Sequence, residues 1–387
     1  MRGSYEYIII GGGIVGTSVA FELAKRGKHN ILLIEKEYLA SGATGRCAAG
    51  IRQQWGSLLN ATLAVESTEI FENLEKYTGY NYSCGLNQSG YLLLAYTEKE
   101  WEQFQKNLEV QHSLGVPSHV VDLEKDIYKY VPFINTEGLY GATFCQKDGH
   151  ADPFHCTFAY AYGAKRLGVE IMTYTTVTRL LTENGNITGV LTDKGEFHAP
   201  VVINCANGWA PALSAQVGDE IPVFPERHQI MVSEAVAPLG GNGGPMPMVI
   251  SFNRGFYVQQ SPHGSLIMGI GEKEPVSFNQ RSSWQFMEKA AKLITDTLPA
   301  LKQLRISRQW AGLYDMSPDR SPVIDFSQNA QGLITICGFS GHGFMVAPRT
   351  AVLVANALCG QQDTLDIKRF SLERYRTGEL LLEPSVV

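Results

Sequence analysis

The chain lacks the features that would place it in several large classes. Its seven cysteines (Cys47, Cys84, Cys145, Cys156, Cys205, Cys337 and Cys359) are odd in number and never spaced as C-x-x-C. Neither a disulfide framework nor a zinc or iron–sulfur site is indicated, and no metal is expected. They read as thiols in a reducing compartment. Excess positive charge is missing too: 38 acidic against 32 basic residues leave a formal net charge of -6. That balance argues against nucleic acid or an anionic membrane as the main partner and points to a small-molecule ligand. The apolar opening "YEYIIIGGGIVG" is too short and too glycine-rich to span a membrane, and "MRGS" is a poor start for a signal peptide. The expected location is therefore cytoplasmic. No tandem repeat, low-complexity linker or block of like charge interrupts the 387 residues, so two interleaved domains are expected rather than domains in series.

What is present begins at the N-terminus. "YEYIII" reads as a buried strand, "GGGIVG" as a tight turn, "IVGTSVAFELAKRG" as a helix stopped by Gly27, and "NILLIEKE" as a second buried strand. In this βαβ unit Gly11-x-Gly13-x-x-Gly16 occupies the turn, and Glu35 closes the second strand 19 positions after Gly16. The first glycine permits the turn, the second lets backbone approach a pyrophosphate, and the third lets helix and strand pack closely. The helix start offers free N–H groups and the positive dipole end to phosphates, and Glu35 suits a ribose diol. A dinucleotide of the FAD or NAD kind is expected in this Rossmann-type unit.

Further on, helices are expected around 60–77 and 98–113, a strand at "SGYLLLAY", and a helix opening at Asp152 as N-cap with Pro153 in its first turn. A β-meander follows, closing on "PVVIN". Near the C-terminus "GLITICGFSGHGFMVAPRTAVLVANALCG" repeats the strand, glycine turn, helix order of the opening. If the strand at 333–337 joins the sheet of the first strand, both glycine turns face one crevice at its carboxyl edge. Asp319 and Arg320 read as a salt bridge within a loop.

At these residues the chain resembles the FAD-dependent D-amino-acid-oxidase (DAO) superfamily. Within it the likeness is to the group of sarcosine oxidase, dimethylglycine dehydrogenase and the proline dehydrogenase β subunit. The pieces that carry it are "IIGGGIVG", "SGATGRCAAGIRQQWG", "DGHADPF", "NCANGWA", "WAGLYDMSPDRSPVI" and "GFSGHGFMVAP". The resemblance implies an α/β fold, with an FAD-binding Rossmann-type domain (1–80, 145–220 and 325–387) interleaved with a mixed β-sheet substrate domain (81–144 and 221–324). It places Gly11, Gly13, Ile14, Val15, Gly16, Glu35, Lys36, Ser41, Thr44, Arg46, Ala48, Gly50, Val177 and Ala206 against FAD, together with Gly338, Gly341, His342, Gly343 and Phe344. The N-terminus of the last helix would face the N1–C2=O edge of the flavin, where a helix dipole favours the charge of the reduced ring.

Departures from the family pattern narrow the expected chemistry. Tyr314 and Gly341 stand where glycine oxidase has carboxylate-binding arginines, and Gly312 stands where monomeric sarcosine oxidase tethers its flavin through cysteine. Non-covalent FAD is expected. Met345 replaces that enzyme's C-terminal lysine, and Leu266 or Ile267 replaces the lysine that activates oxygen. Pro153 aligns with the histidine that carries FMN in the heterotetrameric sarcosine oxidase β chain, with His150 and His155 nearby, so covalent FMN is not expected. FMN held loosely at a subunit interface stays open. Arg52 matches an arginine that holds the substrate carboxylate, a task that suits its fork of donors. Tyr257 matches a substrate-site tyrosine, and His342, Tyr314 and Met345 complete the candidate catalytic set, with Trp310 and Phe344 as further wall. The expected activity is oxidation of a secondary or tertiary α-amino acid (sarcosine, dimethylglycine or proline type) by hydride transfer to flavin N5, with electrons passed to a partner subunit or soluble acceptor. A stand-alone oxidase releasing hydrogen peroxide, an electron-transfer subunit without turnover and, more distantly, a nicotinamide-dependent hydroxy-acid dehydrogenase are the alternatives.

Overall fold

The computed structural model describes residues 3–384. Four consecutive apolar residues make the first strand, β1 (Tyr7–Ile10), and alternation decides which way each side chain points. Tyr7 and Ile9 enter a core built with the helices, whereas Ile8 and Ile10 enter a second core shared with the β-meander. A strand buried on both faces needs apolar residues throughout, and each of its isoleucines contributes about 1.5–3 kcal/mol by leaving water. β1 is followed by helix α1 (Ile14–Lys25) and strand β2 (Ile31–Ile34).

The main sheet has six strands in the order Val323–Phe326, Leu333–Cys337, Val201–Asn204, β1, β2, Glu170–Met172. All neighbours are parallel except the first pair. The strand at 333–337 thus joins the sheet of β1, one strand away. On one face lie α1, the helix Pro153–Arg166 and the last long helix Gly343–Leu358, all contributing to one core. The opposite face is covered by a three-stranded meander over Val177–His198.

A second, eight-stranded mixed sheet carries the long strands Phe224–Ala235 and Ile306–Met316 at one edge and Tyr91–Ala95 towards the other. The helix Trp284–Thr297 packs on it through Phe286, Ala290 and Ile294. The chain enters this sheet at Tyr91, leaves after the strand Gly141–Cys145, and returns at Phe224. The two large sheets of this mixed α/β architecture are therefore interleaved in sequence.

Local expectations meet the structure closely where a cap or period dictates them. Asp152 accepts the Phe154 and His155 N–H groups at 2.9 Å, with Pro153 in the first turn. The helix expected over 60–77 is instead α2 (Leu58–Phe71), capped by Ser57, and a separate turn Leu74–Thr78, because the chain breaks at Glu72–Asn73. The expected salt bridge within the 319–320 loop is corrected: buried Asp319 pairs with Arg374 at 2.7 Å. All seven cysteines are free thiols. Among the described residues no helix is long and apolar enough to cross a membrane.

Candidate active site

The carboxyl ends of β1 and of the strand Leu333–Cys337 open on one cavity of about 570 Å³, lined by residues of both glycine turns. A helix start leaves N–H groups without intrahelical acceptors, and two such starts, those of α1 and of the helix Gly343–Leu358, border this space. The glycines have distinct reasons. Gly11 sits at φ +109°, and a Cβ there would lie 2.5 Å from the Cys205 carbonyl oxygen; one on Gly16 would overlap the Gly11 carbonyl oxygen. Gly16 therefore serves helix–strand packing beneath the turn and does not line the cavity. Gly341, at φ +95°, lies under the Tyr314 ring, which a Cβ would overlap.

Of the residues expected against a cofactor, Gly11, Gly13, Ile14, Val15, Glu35, Lys36, Ser41, Thr44, Arg46, Val177, Ala206, Gly341, Gly343 and Phe344 line the cavity. Gly16, Ala48, Gly50, Gly338 and His342 do not. The Thr44 hydroxyl accepts the Ile14 N–H at 3.1 Å, so one helix-start donor already has a protein partner. Buried Glu35 accepts from the Gly12 N–H at 2.7 Å and the Glu37 N–H at 2.9 Å, which orients its carboxylate at the cavity wall. Lys36 lies 3.8 Å over the Trp209 ring, and Arg46 donates to the Ser41 and Ala311 carbonyl oxygens.

The expected substrate residues divide between two places. Tyr257 and Tyr314 line the cavity. Arg52, His342 and Met345 lie beside it, where His342 meets the buried Trp55 edge to face at 4.7 Å and Met345 packs on the cluster around Trp55. The Arg52 guanidinium is 4.2 Å over Trp55 and 5.0 Å over Phe252. It is buried, its Nε has no hydrogen-bond acceptor, and among the described residues it makes no ion pair. Burial lowers its pKa, while Glu383, Tyr91 and Asp148 act in the opposite direction from farther off. His342 is held neutral: burial and then the Arg52 charge pull its pKa down to about 3. Burial raises Tyr257 well above the usual phenol range and Tyr314 to about 12, so both stay protonated as donors.

A family model described as FAD dependent oxidoreductase, DAO, matches residues 6–357. The chain belongs to this family. The crystal structure of L-proline dehydrogenase from P. horikoshii superposes on this FAD-dependent oxidoreductase with a TM-score of 0.91 at 35% identity, covering 98% of this chain and 100% of that one. Glycine oxidase from Geobacillus kaustophilus gives 0.85 at 26%, covering 96% and 99%. Sarcosine oxidase subunit beta from Rhodobacter capsulatus is 27% identical over 385 residues, 98% of this chain and 90% of its own. FAD is the cofactor of this oxidoreductase. The cavity fits a molecule of that length and polarity: two helix starts for its anionic parts, an oriented carboxylate at Glu35, and apolar walls between.

Among the cavity residues that escaped the reading of the sequence are His228 and Asp315. His228 stacks on Tyr314 with centroids 3.7 Å apart and planes 15° from parallel, and its Nε2 lies 3.1 Å from Glu226 Oε1. Asp315 is buried, with its carboxylate accepting the Gly338 N–H at 2.7 Å, and burial pushes its pKa up to about 6. A lone histidine or aspartate in a strand carries no local signal. His228 and Tyr314 share this place because Phe224–Ala235 and Ile306–Met316 pair antiparallel with Glu226 opposite Tyr314.

Proposed function

We propose that this FAD-dependent oxidoreductase oxidises the CH–NH bond of a secondary or tertiary α-amino acid of the sarcosine, dimethylglycine or proline type, and passes the electrons to a partner subunit or soluble acceptor. The observation that carries the reading is Arg52. A buried guanidinium without a counter-ion is costly by several kcal/mol, and an incoming carboxylate beside Trp55 would offset that cost with paired hydrogen bonds. The similarity to an L-proline dehydrogenase and to a sarcosine oxidase subunit beta supports an N-substituted amino acid.

Bound FAD supplies the two-electron acceptor. The starts of α1 and of the last helix, with Glu35, Lys36, Ser41, Thr44 and Arg46, would hold it. The chain's own part in the reaction is placement: Arg52 fixes the carboxylate, Tyr257 and Tyr314 wall the reacting carbon, and Trp55 with Phe252 keeps water from the cation. His342 stays neutral and adds no second positive charge that would disfavour a protonatable amine. Lys36 and Arg46 are the lysine and arginine among the cavity-lining residues, and Leu266 is buried in the sheet. An oxygen-activating lysine is thus missing from the expected place, which favours an acceptor other than oxygen. The glycine oxidase relative supports the second reading, a stand-alone oxidase.

Anaerobic addition of sarcosine, dimethylglycine, L-proline, D-proline and glycine to the purified yellow protein tests both. Bleaching by one N-substituted amino acid with slow recovery in air is the expected result; fast recovery with peroxide would establish the oxidase. Bleaching by none of them would defeat both.

A further inference from the structure

Arg52 belongs to a segment that two buried carboxylates grip on either side, although neither pairs with its guanidinium. Upstream, β3 (Gly50–Ile51) pairs with Gly149–His150, putting Ile51 opposite Gly149. Asp148, next in the chain to that pairing, is fully buried. Its Oδ1 accepts the Gln53 N–H at 2.7 Å and its Oδ2 accepts Gln54 Nε2 at 2.9 Å. Gln54 is itself fixed, donating to the Tyr91 carbonyl oxygen at 3.0 Å and accepting from the Thr143 hydroxyl at 2.9 Å. Downstream, Glu383 accepts from the Gly56 N–H at 2.7 Å, the Ser57 N–H at 3.1 Å and Asn60 Nδ2 at 3.1 Å, at the start of α2. Between the two grips Trp55 Nε1 donates to the Arg52 carbonyl oxygen at 2.8 Å, locking the ring on which the guanidinium lies.

We propose that Asp148 is a positioning residue: by holding Gln53 and Gln54 it sets the Arg52 guanidinium, unpaired, where the substrate carboxylate arrives. A carboxylate beside a buried arginine ordinarily forms the ion pair. Here both oxygens of Asp148 are engaged with the segment itself, so the cation keeps its donors for a ligand. The inference rests on the reading of Arg52 as carboxylate anchor.

The test uses the FAD-loaded full chain and 2-furoate, a carboxylate with no C–H beside nitrogen to oxidise, read by its perturbation of the flavin spectrum. Arg52→Gln should weaken 2-furoate by about a hundredfold through loss of a charged, forked donor. Asp148→Asn keeps the volume but turns an N–H₂ toward Gln54, and should weaken binding by about tenfold at unchanged FAD content, since a small misplacement of an anchor costs that much. A merely structural staple would lower the melting temperature and leave 2-furoate affinity alone; that outcome overturns the proposal. If Arg52→Gln binds 2-furoate as the wild type does, the anchor reading fails first and the proposal with it. Should Asp148→Asn not retain FAD, Gln54→Met removes the Oδ2 contact together with those to the Tyr91 carbonyl oxygen and the Thr143 hydroxyl, while Asp148 Oδ1 keeps the Gln53 N–H, and its unchanged affinity would be equally fatal.

Discussion

Gly341, in the C-terminal glycine turn, lies against Tyr314 of the eight-stranded sheet. Its φ of +95° is open to glycine at little cost, and a Cβ there would overlap the Tyr314 ring. Gly341→Ala should displace Tyr314 and with it the stacked His228, at a cost of about 1–3 kcal/mol from overpacking and backbone strain. Thermal melting of the FAD-bound variant reads the cost, and a changed amino-acid concentration for half-bleaching reads the displacement; an unaltered value of both would show that the ring moves away freely. Three glycines around His342 were legible as a close approach. What approaches one of them was not, since Tyr314 lies 27 positions earlier in another sheet. The same holds for Arg52, whose candidacy came from family likeness, while its lack of a counter-ion is a property of packing.

At the scale of elements, the strand, turn and helix units at both ends were readable because each level agreed: apolar runs of strand length, glycines at the turn, a helical period after it. The capped helix at Asp152 and three strands of the meander were readable for the same reason, but the strand expected to close the meander, Val201–Asn204, lies in the main sheet between Leu333–Cys337 and β1. The pairing of Phe224–Ala235 with Ile306–Met316 was not readable, because a contact between strands separated in sequence by three other strands and a helix leaves no local pattern. Asp315, on the second of these strands, ties it to the C-terminal glycine loop through Gly338 N–H, and the Ser340 N–H donates to the Asp315 carbonyl oxygen at 3.1 Å. Removing the carboxylate should loosen the start of the last helix where it borders the cavity. Asp315→Ala is expected to lose FAD on dilution about tenfold more readily than the wild type, consistent with one lost charge-assisted hydrogen bond; equal retention would remove the loop from the list of cofactor supports.

Across the whole molecule, four buried titratable groups oppose one another in acid. Burial pulls His150 to about 4 and His342 to about 3, so below the ordinary histidine value the unfolded chain takes up protons that the native one refuses, and stability falls with falling pH. Burial pushes Asp148 and Asp315 to about 6, so between there and the ordinary aspartate value the native chain holds protons that the unfolded one has released. Their contribution is therefore fully present below the ordinary aspartate value and is lost as pH rises through about 6. The two pairs act in opposite directions over overlapping windows and so partly offset one another. Asp315→Asn deletes one of the compensating acids. Urea unfolding at about pH 7 and about pH 4.5 should show the variant losing about 2 kcal/mol more than the wild type on acidification, the linkage value of the roughly 1.5 pH units between the raised pKa of about 6 and about pH 4.5. Parallel losses would mean that Asp315 is ionised throughout and that the N–H groups of the glycine loop, which stabilise its charge, outweigh burial.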